Sequence, residues 1–232
     1  MVGMDAVESD GQDLAAIGLL REPVRRALYD YVASQDGEVS RNEAAEAVGV
    51  QRGLAAFHLD KLVDGGLLDA TFRRLGERRG PGAGRPAKLY RRAAREVAAS
   101  LPPRAYQAAA HLLAETVEQA GAEPELYASA RRHGEASGRQ LMAGGAKPTA
   151  ERALAALGYE PYQDGEALRL RNCPFSTLAR EFPVVTCGMS LALIEGLLAG
   201  LGAAGVSASM DPAPGRCCVA IHGSDVSKTS HN

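Results

Sequence analysis

No tryptophan occurs anywhere in this chain, and no cysteine precedes Cys173. Aromatic residues make up only 5%, so the 46% apolar content must build its cores mainly from Leu, Ala and Val. No apolar run reaches the roughly 18–20 residues needed to span a bilayer, which argues against a membrane protein. The N-terminal stretch "MVGMDAVESDGQD" is acidic and lacks the charged-then-apolar order of a signal peptide, so a cytoplasmic location is expected. In that reducing compartment, clustered cysteines serve metals or redox chemistry more often than structural disulfides. There is no phosphate-binding Gly loop and no nucleophile–base pairing. His111 and His133 stand isolated, which argues against an enzyme. A net charge of −2 identifies no partner, and 232 residues allow one large or two small domains.

What is present begins with helices. Leu14, Ile17, Leu20 and Val24 recur at helical spacing between Asp13 and Ser34, and Pro23 is placed to divide that run in two. Ser40 and Glu43 form a capping-box pattern ahead of a short helix, "RNEAAEAV", which Gly49 ends. A second helix runs from Gln51 to Val63 and closes at "DGG". Two helices about a tight Gly turn predict a helix-turn-helix. Two strand-like segments around the Gly/Pro-rich "GERRGPGAGRP" then predict a hairpin wing. Thr71 to Arg95 holds nine Lys/Arg against the single acid Glu77 in a chain that is acidic overall. A basic stripe beside a helix-turn-helix is the electrostatic footprint of a double-stranded DNA binder. A solvated basic loop is the plain alternative.

The start of the second helix is expected in the major groove, with Gln51 suited to adenine and Arg52 to guanine or phosphate. His58 is read as a backbone contact or a mere surface histidine. Lys61 is assigned to phosphate, and Leu54, Phe57 and Leu62 to the core. Arg41 and Asn42 begin the preceding helix, where free N–H groups favour phosphate. On the wing, Arg73, Arg79, Arg85 and Lys88 are the candidate contacts. Arg85 is flanked by Gly and Pro and is thin enough for a narrow minor groove.

Farther on, a helix at 103–119 carries Tyr106, Leu112, Leu113 and Val117 and is expected to link domains or pair subunits. A helix at 149–157, a hairpin over "YEPYQDGEALRLRN", a long helix after Pro183 and strands at 206–210 and 216–221 complete the expectation. The fold class is therefore α+β: an N-terminal winged helix-turn-helix followed by a mixed α+β domain with a small antiparallel sheet. The boundaries are a DNA-binding domain at 13–95, a linker and dimerisation helix at 96–120, a sensor domain at 121–222 and a disordered tail at 223–232. A homodimer is expected, since paired heads match half-sites one helical turn, about 34 Å, apart.

All four cysteines, Cys173, Cys187, Cys217 and Cys218, fall in the C-terminal third, a donor set suited to zinc or an iron–sulfur centre. None forms the close CxxC knuckle usual for zinc. Cys187 is placed on the buried face of the long helix with Leu191, Ile194 and Leu198. Cys217 and Cys218 are read as lying within a strand, where neighbouring side chains point to opposite faces. Three firm ligands follow, Cys173, Cys187 and Cys217. The fourth position is left to Cys218, His222, another group or a small molecule.

"GVQRGLAAFHLDKLVDGGLL" followed by "RRGPGAGRPAKLYRR" resembles the ArsR-like winged-helix regulators. Together with "NCPF…LAREFPVVTC…GRCCV", it resembles the group related to the SufR iron–sulfur sensing repressors. The resemblance spans roughly residues 13–222. It implies a DNA-binding transcriptional regulator whose operator affinity is set by an iron–sulfur cluster on the cysteines, 4Fe–4S favoured over 2Fe–2S. Zinc or thiol-redox sensing is the alternative, and an enzyme of thiol or cluster chemistry ranks below it. The chain departs from the pattern in its Cys173-x13-Cys187 spacing, one residue longer, and in the adjacency of Cys217 and Cys218.

Overall fold

The computed structural model describes residues 4–73, 86–102, 104–143, 148–213 and 215–223. The chain divides into two compact units, Met1–Arg104 and Ala105–Asn232.

The first unit opens with α1 (Met4–Leu19) and α2 (Pro23–Ala33). Pro23 separates them because its missing N–H is harmless only in the first helical turn, and Glu22 caps α2 by accepting from the N–H groups of Val24 and Arg25. α1 starts earlier than the sequence pattern suggested. A two-residue strand, β1 (Val39–Ser40), leads into α3 (Arg41–Val48). The capping box is complete there: Glu43 N–H donates to Ser40 Oγ (3.3 Å) and Ser40 N–H to Glu43 Oε2 (2.7 Å). Gly49 ends α3 at φ 71°, a left-handed conformation that disfavours any Cβ. After α4 (Arg52–Asp64), β2 (Leu68–Arg73) and β3 (Ala87–Arg92) form the antiparallel wing. β1 adds on the far side of β3, giving the sheet order β1-β3-β2. Leu28, Val32, Ala44, Leu59, Leu62, Leu68 and Tyr90 fill the core. This is a winged helix-turn-helix.

The second unit holds α5 (Tyr106–Ala120), α6 (Glu123–Ala143), α7 (Ala150–Ala156), β4 (Pro161–Asp164), β5 (Ala167–Leu170), α8 (Ser176–Glu181), α9 (Pro183–Gly200), β6 (Val206–Met210) and β7 (Val219–Gly223). Its antiparallel sheet runs β4-β5-β7-β6. α5, expected to link domains or pair subunits, packs within this unit: Ala114 is buried against Phe182 and Val185. The 21-residue α6 was not foreseen. It meets α9 through glycines at near backbone contact. A Cβ on Gly134 would lie 2.1 Å from the Leu193 carbonyl oxygen, and one on Gly196 would lie 2.1 Å from that of Arg131.

α9 has the length and mean hydropathy (1.6) of a membrane span, although Glu195 interrupts the apolar run. Its apolar side chains are spent in this core instead, where Ile194 and Leu197 are fully buried beside Leu168, Leu170 and Ile221. β7 begins at Val219, not at Arg216, and ends at Gly223 inside the stretch expected as a tail. Residues 224–232 lie outside the described ones.

Candidate functional sites

The first site is the outer face of α4. Gln51 stands at its N-cap and makes no side-chain capping bond; Arg52 follows in the first turn, and both are exposed. The buried stripe is Ala55, His58, Leu59 and Leu62. That corrects two expectations. Leu54 and Phe57, read as core residues, are 43% and 55% exposed. His58, read as a groove-side or surface residue, is only 6% exposed. Its Nδ1 accepts from Arg25 Nε (3.4 Å) and lies 3.5 Å from Glu22 Oε2. The buried polar ring is thus satisfied by the capping apparatus of α2, and it ties α4 to α2.

The remaining candidates separate by partner. Arg41 and Asn42 are exposed in the first turn of α3. There the capping box already takes the Glu43 N–H and places a carboxylate in the same turn. Hydrogen bonds from Ser40 hold the Glu43 carboxyl below its ordinary range. Of the two features expected to favour a phosphate here, the Arg41 side chain is exposed and the Glu43 N–H is already taken by Ser40. Lys61 is exposed, 3.8 Å from Asp64. Arg73 pairs with Glu38 at 3.1 Å. Lys88 is drawn onto the protein: its Nζ lies 2.6 Å from Asp60 Oδ1, which also accepts from the buried Tyr90 hydroxyl at 2.9 Å. Arg79 and Arg85 fall outside the described residues.

The second site gathers the four thiols, none of them in a disulfide. Cys173 follows the end of β5, in a turn where Asn172 accepts from the Glu160 N–H (2.7 Å) and donates to the Gly158 carbonyl (2.8 Å). Cys187 lies in the second turn of α9. Tyr127 fixes that end of the helix: its hydroxyl donates to the Val184 carbonyl at 2.7 Å, and its ring occupies the space a Cβ on Gly188 would need.

Cys217 and Cys218 precede β7 and do not lie within it, so strand alternation does not separate them. The register that pairs Leu168 with Ile221 would set Val219 opposite Leu170. Instead the Cys217 N–H donates to the Leu170 carbonyl at 3.0 Å, two residues early. On the other side, the Asp211 N–H still reaches the Cys218 carbonyl at 2.7 Å. Arg169, ion-paired to Asp211 and, at 2.8 Å, to Asp164, anchors this segment.

The resulting contacts run Cys173–Cys217–Cys218–Cys187, sulfur to sulfur by hydrogen bonds. Donation from the Cys173 thiol, then from the Cys218 thiol, pulls the Cys217 thiol below its ordinary range, helped by the Val219 and Cys218 N–H groups. The shared hydrogen bond and burial push Cys173 and Cys218 up correspondingly. The buried Tyr159–Ser190 hydroxyl pair (2.7 Å) packs beside the sulfurs, and burial raises the Tyr159 hydroxyl.

As the side chains stand, among the described residues, no three His, Cys, Asp or Glu groups are arranged to hold a metal ion. The sulfurs instead hold one another through thiol protons. The chemistry of the donor set, four soft thiols on three separate segments and brought into contact, fits a cluster ligated by cysteine. Tyr127, Asn172 and the Arg169 ion pairs were missed from the sequence, although Asn172 opens the "NCPF" stretch and Arg169 lies in the hairpin before it. Their effect shows only once β5, α9 and the 211–218 segment are seen together.

Residues 19–70 match the family model of a helix-turn-helix domain. No curated protein matches the chain. Among solved structures, the chain is similar to the homodimeric winged helix-turn-helix DNA-binding domain of a possible ArsR-family transcriptional regulator from Mycobacterium bovis. Identity is 27% over 40% of this chain and 76% of that one. The TM-score is 0.28.

Proposed function

We propose that the chain is a DNA-binding transcriptional regulator whose operator affinity is controlled by an iron–sulfur cluster held by Cys173, Cys187, Cys217 and Cys218. The observation that carries the DNA half is the helix-turn-helix match over 19–70, with Gln51 and Arg52 exposed at the start of α4. The observation that supports the sensing half is the contact of all four thiols. Bound there, a cluster supplies a redox-active centre tuned by hydrogen bonds to its sulfurs and by burial. The protein's part is mechanical. Cys173 fixes the end of β5, Cys187 the start of α9 and Cys217–Cys218 the entry to β7, so holding or releasing four thiolates tightens or frees three segments at once.

The partner is an operator duplex bound by a homodimer, and the compartment is the cytoplasm. α5 supports the pairing of subunits: Tyr106, Leu112 and Leu113 are 75%, 63% and 67% exposed on its outer face. A thiol-redox sensor is the second reading. It is favoured by Cys217 lying between the Cys173 and Cys218 thiols, whose hydrogen bonds lower it, an arrangement suited to disulfide formation. Zinc on the same thiolates is the other alternative.

Anaerobic purification with a visible spectrum and iron, sulfide and zinc analysis tests the sensing half. Brown protein containing iron and sulfide supports the cluster, and colourless protein with stoichiometric zinc overturns it. Four single Cys→Ser variants, reconstituted anaerobically, test the ligand set. Because Cys217 and Cys218 lie outside the strand, all four are expected to lose iron and absorbance to a similar degree. Full retention by Cys218→Ser restores the three-ligand expectation.

A further inference from the structure

The outer face of α4 inverts the usual order of burial. On this helix the histidine is inside, and the phenylalanine beside it is outside. Gly53, Phe57 and Lys61 follow at intervals of four residues, so they form one exposed row with Phe57 at its middle and Leu54 beside it. A large apolar side chain exposed between polar neighbours is the informative exception to burial. The Phe57 ring is held in place: it meets His58 edge-on at a centroid distance of 5.3 Å, and His58 is itself fixed by Arg25.

Gly53, one turn earlier, is equally unexplained from within. A Cβ there would meet nothing within 4 Å, so no internal packing requires glycine. A helical glycine nonetheless costs stability relative to alanine. The row is smooth at its N-terminal end and apolar at its centre, and the Gln51 amide and Arg52, both exposed, stand at its start. The nearby carboxylates are engaged, Asp60 by Lys88 and Tyr90 and Asp64 by Lys61.

An apolar knob set among cations on the first two turns of the second helix of a helix-turn-helix matches one feature of DNA. That feature is the thymine C5-methyl, the one apolar group on the floor of the major groove, beside the phosphates that cations attract. We propose that Phe57, with Leu54 beside it, reads thymine methyl groups in the operator, while Gly53 leaves room for the close approach this requires. The inference rests on the DNA-binding reading and adds a specificity element to it.

The test uses the full chain. An operator is selected from a random duplex pool, and its thymines are replaced one at a time by deoxyuridine, which removes only the methyl. For the wild-type protein, one thymine per half-site is expected to matter, at about fourfold in Kd per methyl and about fifteenfold with both half-sites substituted. Phe57→Ala, whose side chain is exposed and whose folding is checked by thermal unfolding, binds the thymine operator more weakly. It shows no further loss on the deoxyuridine duplex. Deoxyuridine that is neutral at every position overturns the inference alone. So does equal sensitivity in wild type and Phe57→Ala, or loss of dimerisation in Phe57→Ala, which would place a second copy on this face. Failure to enrich any sequence overturns the DNA-binding reading and this inference together.

Discussion

Replacing Leu113 by Gln tests the proposal that two copies of the chain pair through α5. Tyr106, Leu112 and Leu113 are exposed on α5, while Ala114 on the same helix is buried. Leu113 is 67% exposed, so about two thirds of its surface remains to be covered by a partner. Full burial of a leucine side chain is worth about 1.5–3 kcal/mol, so its share here is about 1–2 kcal/mol per protomer. A two-fold interface presents the same residue twice, which doubles the effect to about 2–4 kcal/mol, or roughly 30- to 1000-fold in dimer Kd. The variant keeps the size of the side chain and leaves the core of the unit untouched, so its melting curve as a monomer is expected to be unchanged. Sedimentation velocity across a dilution series reads the dimer constant. Operator binding is expected to fall in parallel, because two linked heads bind through effective concentration and a lone head does not. Glu118→Gln, on the opposite side of the same helix, is the control. An unchanged dimer constant for Leu113→Gln, or an equal shift in the control, refutes the assignment of α5 to the interface.

Three further outcomes are expected. Ser40→Ala removes the cap of α3 and is expected to cost about 1 kcal/mol at neutral pH in urea unfolding. Glu43 is held below its ordinary 4.5 in the folded chain, so its contribution is present above that pH and fades as pH falls through the lower folded value. The variant's stability is therefore expected to vary less with pH below about 4.5. Gly134→Ala pushes a methyl group against the Leu193 carbonyl, where backbone, not a flexible side chain, must yield. Calorimetry is expected to show the second unit's transition lowered by more than about 1–3 kcal/mol, with the first unit's transition unmoved. In operator titrations against salt, Arg85→Ala is expected to lower the log–log slope by about 0.9, one phosphate contact. Lys88→Ala is expected to leave the slope unchanged, because its ammonium already lies on Asp60.

The helix-turn-helix was legible because its signals are local. Ser40 and Glu43, Gly49 and Pro23 each mark a helix end through the chemistry of a few consecutive atoms, and the structure places those ends accordingly. The orientation of α4 was not legible, for a reason that Phe57 and His58 make plain. Apolarity was taken as burial, yet burial of a histidine depends on a partner 33 residues away, Arg25, which no local pattern reveals. The same holds for Lys88: its charge was visible in the sequence, but its commitment to Asp60 depends on a partner 28 residues away on α4. α6 escaped because its contact with α9 is made by what its residues lack. Gly134 and Gly138 face Gly196 and Gly200, two pairs spaced by four. That repeated spacing was the available signal, and hydrophobic periodicity cannot detect it.

The cysteine region shows a different limit. The sequence placed four thiols in one domain, and their types alone pointed to soft-metal or redox chemistry. Their relation to one another turned on where a strand begins. Gly215 takes φ 79°, and Cys217 bonds to Leu170 two residues ahead of the β5–β7 register, while Cys218 keeps its place opposite Asp211. A strand that started at Arg216 would have aimed the two thiols to opposite faces and left one outside the centre. The delayed start lets Cys217 contact Cys173 and Cys218 contact Cys187, joining the end of β5 to α9 through adjacent residues. Adjacency, which looks like redundancy in the sequence, is therefore what lets one short segment bridge two elements. Removing either thiol breaks the bridge at a different joint, and that is why the two serine variants are expected to fail alike.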